Sequence, residues 1–273
     1  MPGQAQRKTI LAKLPRAARH EKRRIPTAAA ARAMAILHAA SASDHGQSAA
    51  DLAHGLRLPV ATVKRLLEVL EHAGYMQREP GGKRFIAGHK LTEMAIVTLV
   101  NSPQREARRS ILRALADEIQ QSCAMAMVAG DSIVLIDSIG VDGSPPERFA
   151  PLARHPLHCT AAGKLLLSAM PTLARRRLIA SAPLKQFTDR TIVDPLDIER
   201  AVKRILSTGV GVDDGEFIKG MGGIAVPVVD AEGRMIAVVA THALMQRIET
   251  KQMMKLAPAL SRASAAIAKT FHA

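Results

Sequence analysis

The chain has 273 residues, 48% of them hydrophobic, and a formal net charge of +14, which favours two domains and predicts a substantial core. Aromatic residues make up only 2%, which disfavours a reader of single strands or RNA that stacks bases on aromatic side chains. The chain has only two cysteines, which excludes a disulfide framework. It has no apolar run of membrane length and no apolar signal core, so a cytoplasmic protein with no membrane partner is predicted.

The positive charge is concentrated towards the N-terminus. Residues 1–90 hold 16 Lys and Arg against six Asp and Glu, and residues 1–24 alone hold eight against one. The first interpretation of residues 1–24 is a disordered basic arm. The alternative is an arm that follows DNA phosphates, whose deletion would flatten the salt dependence of DNA binding.

Two helices are predicted before the most regular segment of the N-terminal half. The stretch at 31–40 predicts a helix that covers a core through Met34, Ile36 and Leu37. A short helix follows, for which Ser48 is the expected N-cap, and Gly55 is expected to open a turn.

The next helix has a clear apolar face. Its core positions fall at i, i+3, i+4 and i+7, and they are Val63, Leu66, Leu67 and Leu70. Pro59 suits the first helical position and Gly74 the position after the last turn, so a helix is predicted from about Pro59 to about Ala73. With the hairpin that is predicted around Pro-Gly-Gly at 80–82, residues 25–88 indicate a winged helix-turn-helix.

The polar edge of this helix is the predicted DNA-reading surface. A basic helix face alone is common in proteins that never bind DNA, and the order helix, helix-turn-helix and hairpin is what favours DNA. The predicted DNA-binding residues are Arg57, Val60, Ala61, Thr62, Lys64 and Arg65, with Lys83 and Arg84 on the wing. Lys64 and Arg65 are expected to read guanine or hold the backbone, Thr62 to contact a base or phosphate, and Ala61 to meet a thymine methyl group.

The second half alternates strands and helices. Residues 89–106 predict a linker helix interrupted near residues 101–103, and a helix follows over about 105–121. Strands are predicted at 123–130, 132–140, 210–216, 224–230 and 234–243, and helices at 160–170, 195–207 and 250–271. Strands joined by short turns predict a mainly antiparallel sheet flanked by helices, so residues 107–273 are expected to form an α+β sensor-like domain.

Several blocks resemble the IclR family, the isocitrate lyase regulator type of transcriptional regulator. They are "GLRLPVATVKRLLEVLEHAGYM" and "FIAG" in the N-terminal half, then "PLHCTAAGKLLLSAMP", "FTDRTIVDPLDIERAVKRILSTGVGVDDGEFIKGMGGIAVPVVDAEG" and "RMIAVVATHA". The similarity covers about residues 28–270. It implies a GAF-like effector-binding domain after the winged helix-turn-helix, and homodimers that pair into tetramers.

The resemblance also implies an effector pocket. It falls on Ala161, Ala162, Asp213, Gly223, Ala240 and His242. Backbone N–H groups at the start of the "TAAGK" helix are oriented donors for a carboxylate. The family often has a cysteine where Gly223 stands and small hydroxyl residues where Ala240 and His242 stand, so this pocket has more room and an imidazole donor. The expected effector is a carboxylic acid larger than a two- or three-carbon oxoacid, aromatic acids included.

An enzyme is the alternative, because His155, His158 and Cys159 cluster in "HPLHCT" and Asp213 has an acidic neighbour. Adjacent residues at a helix entrance rarely give the geometry of a Cys/His nucleophile, and the cluster lacks a fourth zinc ligand. "AAGKL" lacks the first Gly and the Ser/Thr of a phosphate loop, and "GMGG" precedes a strand instead of following one.

A purely architectural DNA-binding protein is also disfavoured, because it has no need of a second half with nearly balanced charge. We therefore expect no catalysis, no cofactor and no metal. The sequence predicts a sequence-specific regulator of transcription that binds a double-stranded operator under control of a small organic acid.

Overall fold

The computed structural model describes residues 28–41, 43, 46–79, 82–141, 147–181 and 183–271. The predicted basic arm, residues 1–24, lies outside these ranges. The described chain separates into two compact units with the division between Thr98 and Leu99, which falls within the predicted linker. No helix in these ranges has the length and hydropathy that a membrane span requires.

The N-terminal unit has the predicted order of elements. They are α1 (Ala29–Ser41), β1 (Gln47–Ser48), α2 (Ala49–Leu56), α3 (Val60–His72), β2 (Met76–Arg78) and β3 (Arg84–Ala87). The strands form an antiparallel sheet in the order β1-β3-β2. The four apolar residues predicted for the core face of α3 are all buried. They pack with Ile36, Leu52 and Phe85, so the predicted winged helix-turn-helix is confirmed.

The N-cap of α2 is also confirmed. The Ser48 hydroxyl accepts the N–H of Asp51 at 3.1 Å, and the Asp51 carboxylate accepts the N–H of Ser48 at 3.0 Å. This reciprocal capping box satisfies two N–H groups at the start of the helix. It fixes the first helix of the helix-turn-helix and, through it, the turn that leads to α3.

Three local predictions in this unit are wrong. Gly55 lies inside α2, and the turn is made by Arg57, which adopts the left-handed conformation at φ +53°. Pro59 is the N-cap of α3 and not its first residue, because its ψ of 134° is extended. Met34 is 65% exposed while its neighbour Ile36 is fully buried, since a residue two positions away on a helix faces a different direction.

The linker region contains two helices, α4 (His89–Val100) and α5 (Arg105–Ile119), separated by the predicted break. Arg108, at the start of α5 and 1% exposed, donates from Nη2 to the Leu99 carbonyl at 2.5 Å and to the Ser102 hydroxyl at 3.0 Å. Asp137, fully buried, accepts from Arg105 Nε at 3.0 Å and lies 3.7 Å from Arg108 Nε. These contacts attach the last turn of α4 to the C-terminal unit.

The C-terminal unit is built on one six-stranded antiparallel sheet. Its strands are β4 (Ser122–Ala129), β5 (Ser132–Ile139), β6 (Arg154–Pro156), β7 (Gly211–Asp214), β8 (Met221–Val229) and β9 (Met235–Leu244). They lie in the order β6-β5-β4-β9-β8-β7. The helices are α6 (Ala161–Ala169), α7 (Thr172–Ala180), α8 (Pro195–Thr208), α9 (Thr250–Met253) and α10 (Ala257–Lys269). The predicted α+β class with a mainly antiparallel sheet is confirmed.

Helix α6 is buried on nearly every side, from Ala161 to Ser168. It packs against α8 and against strands β7, β8 and β9, and its residues belong to a core cluster with Ala225 and Val238. A helix that is apolar all round is a buried helix. Its N-terminus is therefore held inside the unit, close to the middle strands of the sheet.

Some elements of this unit differ from the prediction. The single helix expected over 250–271 is divided by a 3-10 turn at Met254–Leu256, because Pro258 has no N–H with which to continue the helix. Helix α7 was not predicted, since three successive arginines hide its apolar period. Strand β6 is three residues long and contains a proline, so it carries no alternating pattern.

Candidate functional site

The first turn of α3 is a polarised and exposed helix end. Its N-cap, Pro59, has no side chain that accepts from the backbone, and the first turn contains no acidic residue. The first N–H groups of a helix have no intrahelical acceptor and carry partial positive charge. This end of α3 is therefore suited to a negatively charged or hydrogen-bond-accepting partner.

The predicted DNA-reading residues of α3 lie together on its surface. Val60, Ala61, Lys64 and Arg65 are exposed, and Thr62 is half-buried. Residues four apart share a helix face, so Val60 with Lys64 and Ala61 with Arg65 form two neighbouring rows. Arg57, also exposed, lies in the turn just before this surface.

The two wing residues differ in what they contact. Lys83 is exposed and lies just before β3. The guanidinium of Arg84 donates to the carbonyl of Gly46 at 2.7 Å, and Gly46 in turn donates its N–H to the Glu79 carboxylate at 3.2 Å. Arg84 therefore holds the sheet to the segment before β1, which leaves less of its hydrogen-bonding capacity for phosphate than was expected.

A cavity in the C-terminal unit gathers all six residues predicted for the effector. Its enclosed volume is about 60 Å³, and the empty space is about 540 Å³ when the open mouth is included. The predicted residues that line it are Ala161, Ala162, Asp213, Gly223, Ala240 and His242. Helix α6 contributes the first two and strands β7, β8 and β9 contribute the others.

In the floor of the cavity, Gly223 of β8 lies between Asp213 of β7 and His242 of β9. Asp213 pairs with Gly223 and Gly223 pairs with His242, so Asp213 and His242 lie two strand spacings apart, about 10 Å. A Cβ atom at Gly223 would lie 2.9 Å from the Thr241 carbonyl, which explains why no side chain stands there. Room for a ligand group therefore opens between Asp213 and His242.

The first turn of α6 supplies oriented donors on another wall. Thr160 is the N-cap, and its hydroxyl accepts the N–H of Gly163 at 3.0 Å. The N–H groups of Ala161 and Ala162 have no carbonyl within the helix to bind, and both residues line the cavity. A Cβ atom at Gly163 would lie 2.4 Å from the Leu157 carbonyl, so the close approach of that backbone fixes the helix start.

Aromatic rings form the side of the cavity that sequence reasoning missed. The rings of Phe149 and His242 stack with centroids 3.9 Å apart and an interplanar angle of 17°. His155 meets Phe149 edge to face at 5.4 Å and lies 4.9 Å from Phe217. The only hint of these rings in the sequence is the low number of phenylalanines. The whole chain has five Phe, and two of them, Phe149 and Phe217, line this cavity.

Charge is sparse in the cavity. None of the lining residues in the described chain is Lys or Arg, and Lys164 is buried in an ion pair with Glu216. Burial raises the pKa of Asp213 to about 7, although its carboxylate accepts the N–H of Glu216 at 2.8 Å. Burial, with a smaller effect of His155, lowers the pKa of His242 to about 4. His242 is therefore a neutral donor or acceptor near neutral pH.

The residues that suggested an enzyme, His155, His158 and Cys159, have structural roles: the two histidines are hydrogen-bonded to backbone carbonyls and the cysteine is buried. His155 Nε2 donates to the Arg148 carbonyl at 2.7 Å, and His158 Nε2 donates to the Lys185 carbonyl at 3.0 Å. Cys159 is fully buried, and burial, reinforced by Asp213 and Glu216, raises the pKa of its thiol. A catalytic cysteine requires the opposite, a stabilised thiolate. Across the described ranges, no three His, Cys, Asp or Glu side chains are grouped so as to hold a metal ion.

A helix-turn-helix unit together with a separate unit that holds a small-molecule cavity defines a ligand-responsive transcriptional regulator. Family models agree with this class. Residues 29–80 match the IclR helix-turn-helix domain, and residues 97–269 match the bacterial transcriptional regulator IclR C-terminal domain. The chain belongs to the IclR family, whose members are DNA-binding regulators and not enzymes.

Individual relatives support the assignment. The chain is 34% identical over 244 residues to the probable transcriptional regulator SauR of Cupriavidus necator, with 89% of this chain and 97% of the relative covered. The crystal structure of the Thermotoga maritima IclR is similar with a TM-score of 0.58 at 22% identity, over 89% and 98% of the two chains. The crystal structure of an IclR homologue from Microbacterium hydrocarbonoxydans, complexed with 4-hydroxybenzoate, is similar with a TM-score of 0.56 at 19% identity, and the match covers 90% of this chain and 99% of the homologue.

Proposed function

We propose that the exposed face of α3 binds a specific double-stranded operator and that a small organic acid in the cavity modulates this binding. The observation that carries the proposal is the meeting, in one cavity, of six residues from α6, β7, β8 and β9 that are far apart in the sequence. The basic, exposed first turns of α3 supply the DNA-facing half. The protein then acts in the cytoplasm, where its operator is.

On the DNA, Lys64 and Arg65 bind guanine edges or phosphates, and Thr62 binds a base or phosphate. Arg57 and Lys83 hold phosphates on either side of the groove, and Arg84 assists from the wing to the extent that its bond to Gly46 allows. Two helix-turn-helix units on one operator require a homodimer, with half-sites about one helical turn apart. We propose this dimer, and a tetramer of two dimers, which light scattering of the purified protein tests.

In the cavity, the ligand carboxylate accepts from the N–H groups of Ala161 and Ala162. The stacked rings of Phe149 and His242 favour a planar acid. A hydroxyl on that acid fits the space over Gly223, because Asp213 and His242 flank it with an acceptor and a neutral imidazole. The 4-hydroxybenzoate that the Microbacterium homologue binds is an acid of this kind.

A physical connection runs from the cavity to the linker. Ile133 and Leu135 of β5 line the cavity, and an irregularity in the pairing of β4 with β5 lies just after Leu135. Asp137, beyond it, holds Arg105 and lies close to Arg108, and Arg108 holds the Leu99 carbonyl at the end of α4. A ligand that favours one arrangement of β5 would bias the end of the linker, which is what coupling to DNA binding requires.

A thermal-shift screen tests the effector. Benzoate and 4-hydroxybenzoate are expected to raise the Tm of the full chain more than glyoxylate or pyruvate do, because only the larger acids reach both the helix N-terminus and the aromatic rings. Ala240→Val fills the floor and should remove the shift. Ala231→Val, a change at an exposed turn position, should keep it. Stabilisation by the two- and three-carbon acids alone would contradict the proposal.

A further inference from the structure

The first turn of α3 presents apolar surface at the end of the helix that is expected to face DNA. Val60 is its first residue and is 45% exposed, and Ala61 beside it is exposed as well. Single exposed apolar residues are ordinary. Val60, however, also lines a concave surface of α2 and the turn, together with the apolar Ala53 and Leu58 and the polar His54 and Arg57. The apolar surface is thus part of a shaped groove and not an isolated side chain.

The arrangement along the helix is regular. Each of the two rows begins with an apolar residue and has a cation one turn later, Val60 before Lys64 and Ala61 before Arg65. In the major groove the C5 methyl group of thymine is the apolar feature that distinguishes one base edge from another, and guanine carries the acceptors that Lys and Arg prefer. The two rows therefore match a thymine followed by a guanine.

We propose that Val60 and Ala61 read the methyl groups of thymines in each half-site, beside a guanine that Lys64 or Arg65 reads. The inference rests on the proposed operator binding and adds the base class that the apolar end selects. Four helical residues rise about 6 Å, and base pairs are spaced about 3.4 Å along the duplex. A helix that is tilted to the duplex axis advances less than this along it, so the thymine and the guanine lie within about two base steps of each other.

The test begins with selection of operators from a random duplex library by the full chain. Each thymine of the selected half-site is then replaced by uracil, which removes only the methyl group and keeps the base pair. Replacement of a thymine within two steps of the guanine should weaken binding about fourfold, the factor that loss of one buried methyl-sized group gives. Uracil outside the footprint should change nothing.

Two variants assign the effect to Val60. Val60→Ser should bind thymine and uracil operators equally at one position and keep the discrimination elsewhere. Val69→Ser changes another exposed valine of α3, 60% exposed and on the opposite side of the helix, and should keep all of it. A half-site that tolerates uracil at every position, or that has no thymine near its guanine, would overturn the thymine inference but would leave the proposed operator binding intact. Failure to enrich any duplex removes the proposed operator binding as well.

Discussion

Replacement of Asp213 by asparagine should stabilise the C-terminal unit in a pH-dependent way. Burial raises the pKa of this carboxyl to about 7 from an ordinary value of 3.8; the backbone N–H of Glu216 and the charge of Lys164 oppose the shift, and the charge of the Glu216 carboxylate adds to it. Between these two values the unfolded chain has released a proton that the folded chain keeps. Stability is therefore lost as pH rises through this window and is constant above it. An asparagine side chain has no carboxyl proton to lose, so the Asp213→Asn variant escapes the loss.

The size of the effect follows from the same values. A difference of about three pH units, at about 1.4 kcal/mol each, sets an upper limit of about 4 kcal/mol. Between about pH 5 and about pH 8 the advantage of Asp213→Asn should grow by about 3 kcal/mol. For a unit of this size, about 2–4 °C of Tm corresponds to 1 kcal/mol, so the Tm difference should grow by about 6–12 °C.

Calorimetry is the suitable assay. The chain has no Trp, and its one Tyr, Tyr75, lies in the N-terminal unit, so intrinsic fluorescence does not follow the unit in question. Asp214→Asn controls for the lost negative charge, because Asp214 is the adjacent residue, with a side chain 55% exposed and paired with Arg190. A Tm difference between the two variants that stays constant from about pH 5 to about pH 8 would refute the reasoning about burial.

Three further predictions concern single side chains. Arg65→Ala should cost about 1–3 kcal/mol at the selected operator if Arg65 binds a base, measured by titration, and less on random DNA. Gly223→Ala should lower the stability of the C-terminal unit and weaken ligand binding, because its Cβ would lie 2.9 Å from the Thr241 carbonyl; calorimetry and ligand titration measure the two losses. Asp137→Asn should cost about 3–5 kcal/mol in denaturant unfolding, because it leaves the buried Arg108 without its carboxylate.

Each of these has a distinct contrary result. An equal loss on operator and random DNA would make Arg65 a phosphate contact. Unchanged ligand affinity in Gly223→Ala would show that the ligand does not lie over that strand. Unaltered unfolding in Asp137→Asn would mean that water or another group already compensates the Arg108 charge.

The spacing of apolar residues within single segments predicted the main helices and strands of both units. The spacing of four apolar residues predicted α3 and its buried face, because a helix with a 3.6-residue period leaves that pattern in one segment. The cavity residues came from the resemblance to the family, and the structure brings all six together. Their roles stay predictions, as do those of the DNA-reading residues.

Contacts between distant segments were not predictable in this way. The stacking of Phe149 on His242 joins residues 93 positions apart, and no local pattern encodes it. The bond of Arg84 to Gly46 joins the wing to a segment 38 residues earlier, so a residue that looked available for DNA is partly occupied. The break before α10 has a local cause, Pro258. It was missed because the apolar pattern continues through this position and suggested one long helix.

Operator titration of two double variants tests the central claim most directly. Lys64→Ala/Arg65→Ala alters the proposed reading face, and Lys203→Ala/Arg204→Ala removes an equal charge from an adjacent exposed pair on α8. The first should lose the preference for the selected operator over random DNA while keeping its fold, and the second should keep that preference. Equal operator preference in both variants would contradict the assignment of α3 as the DNA-reading helix.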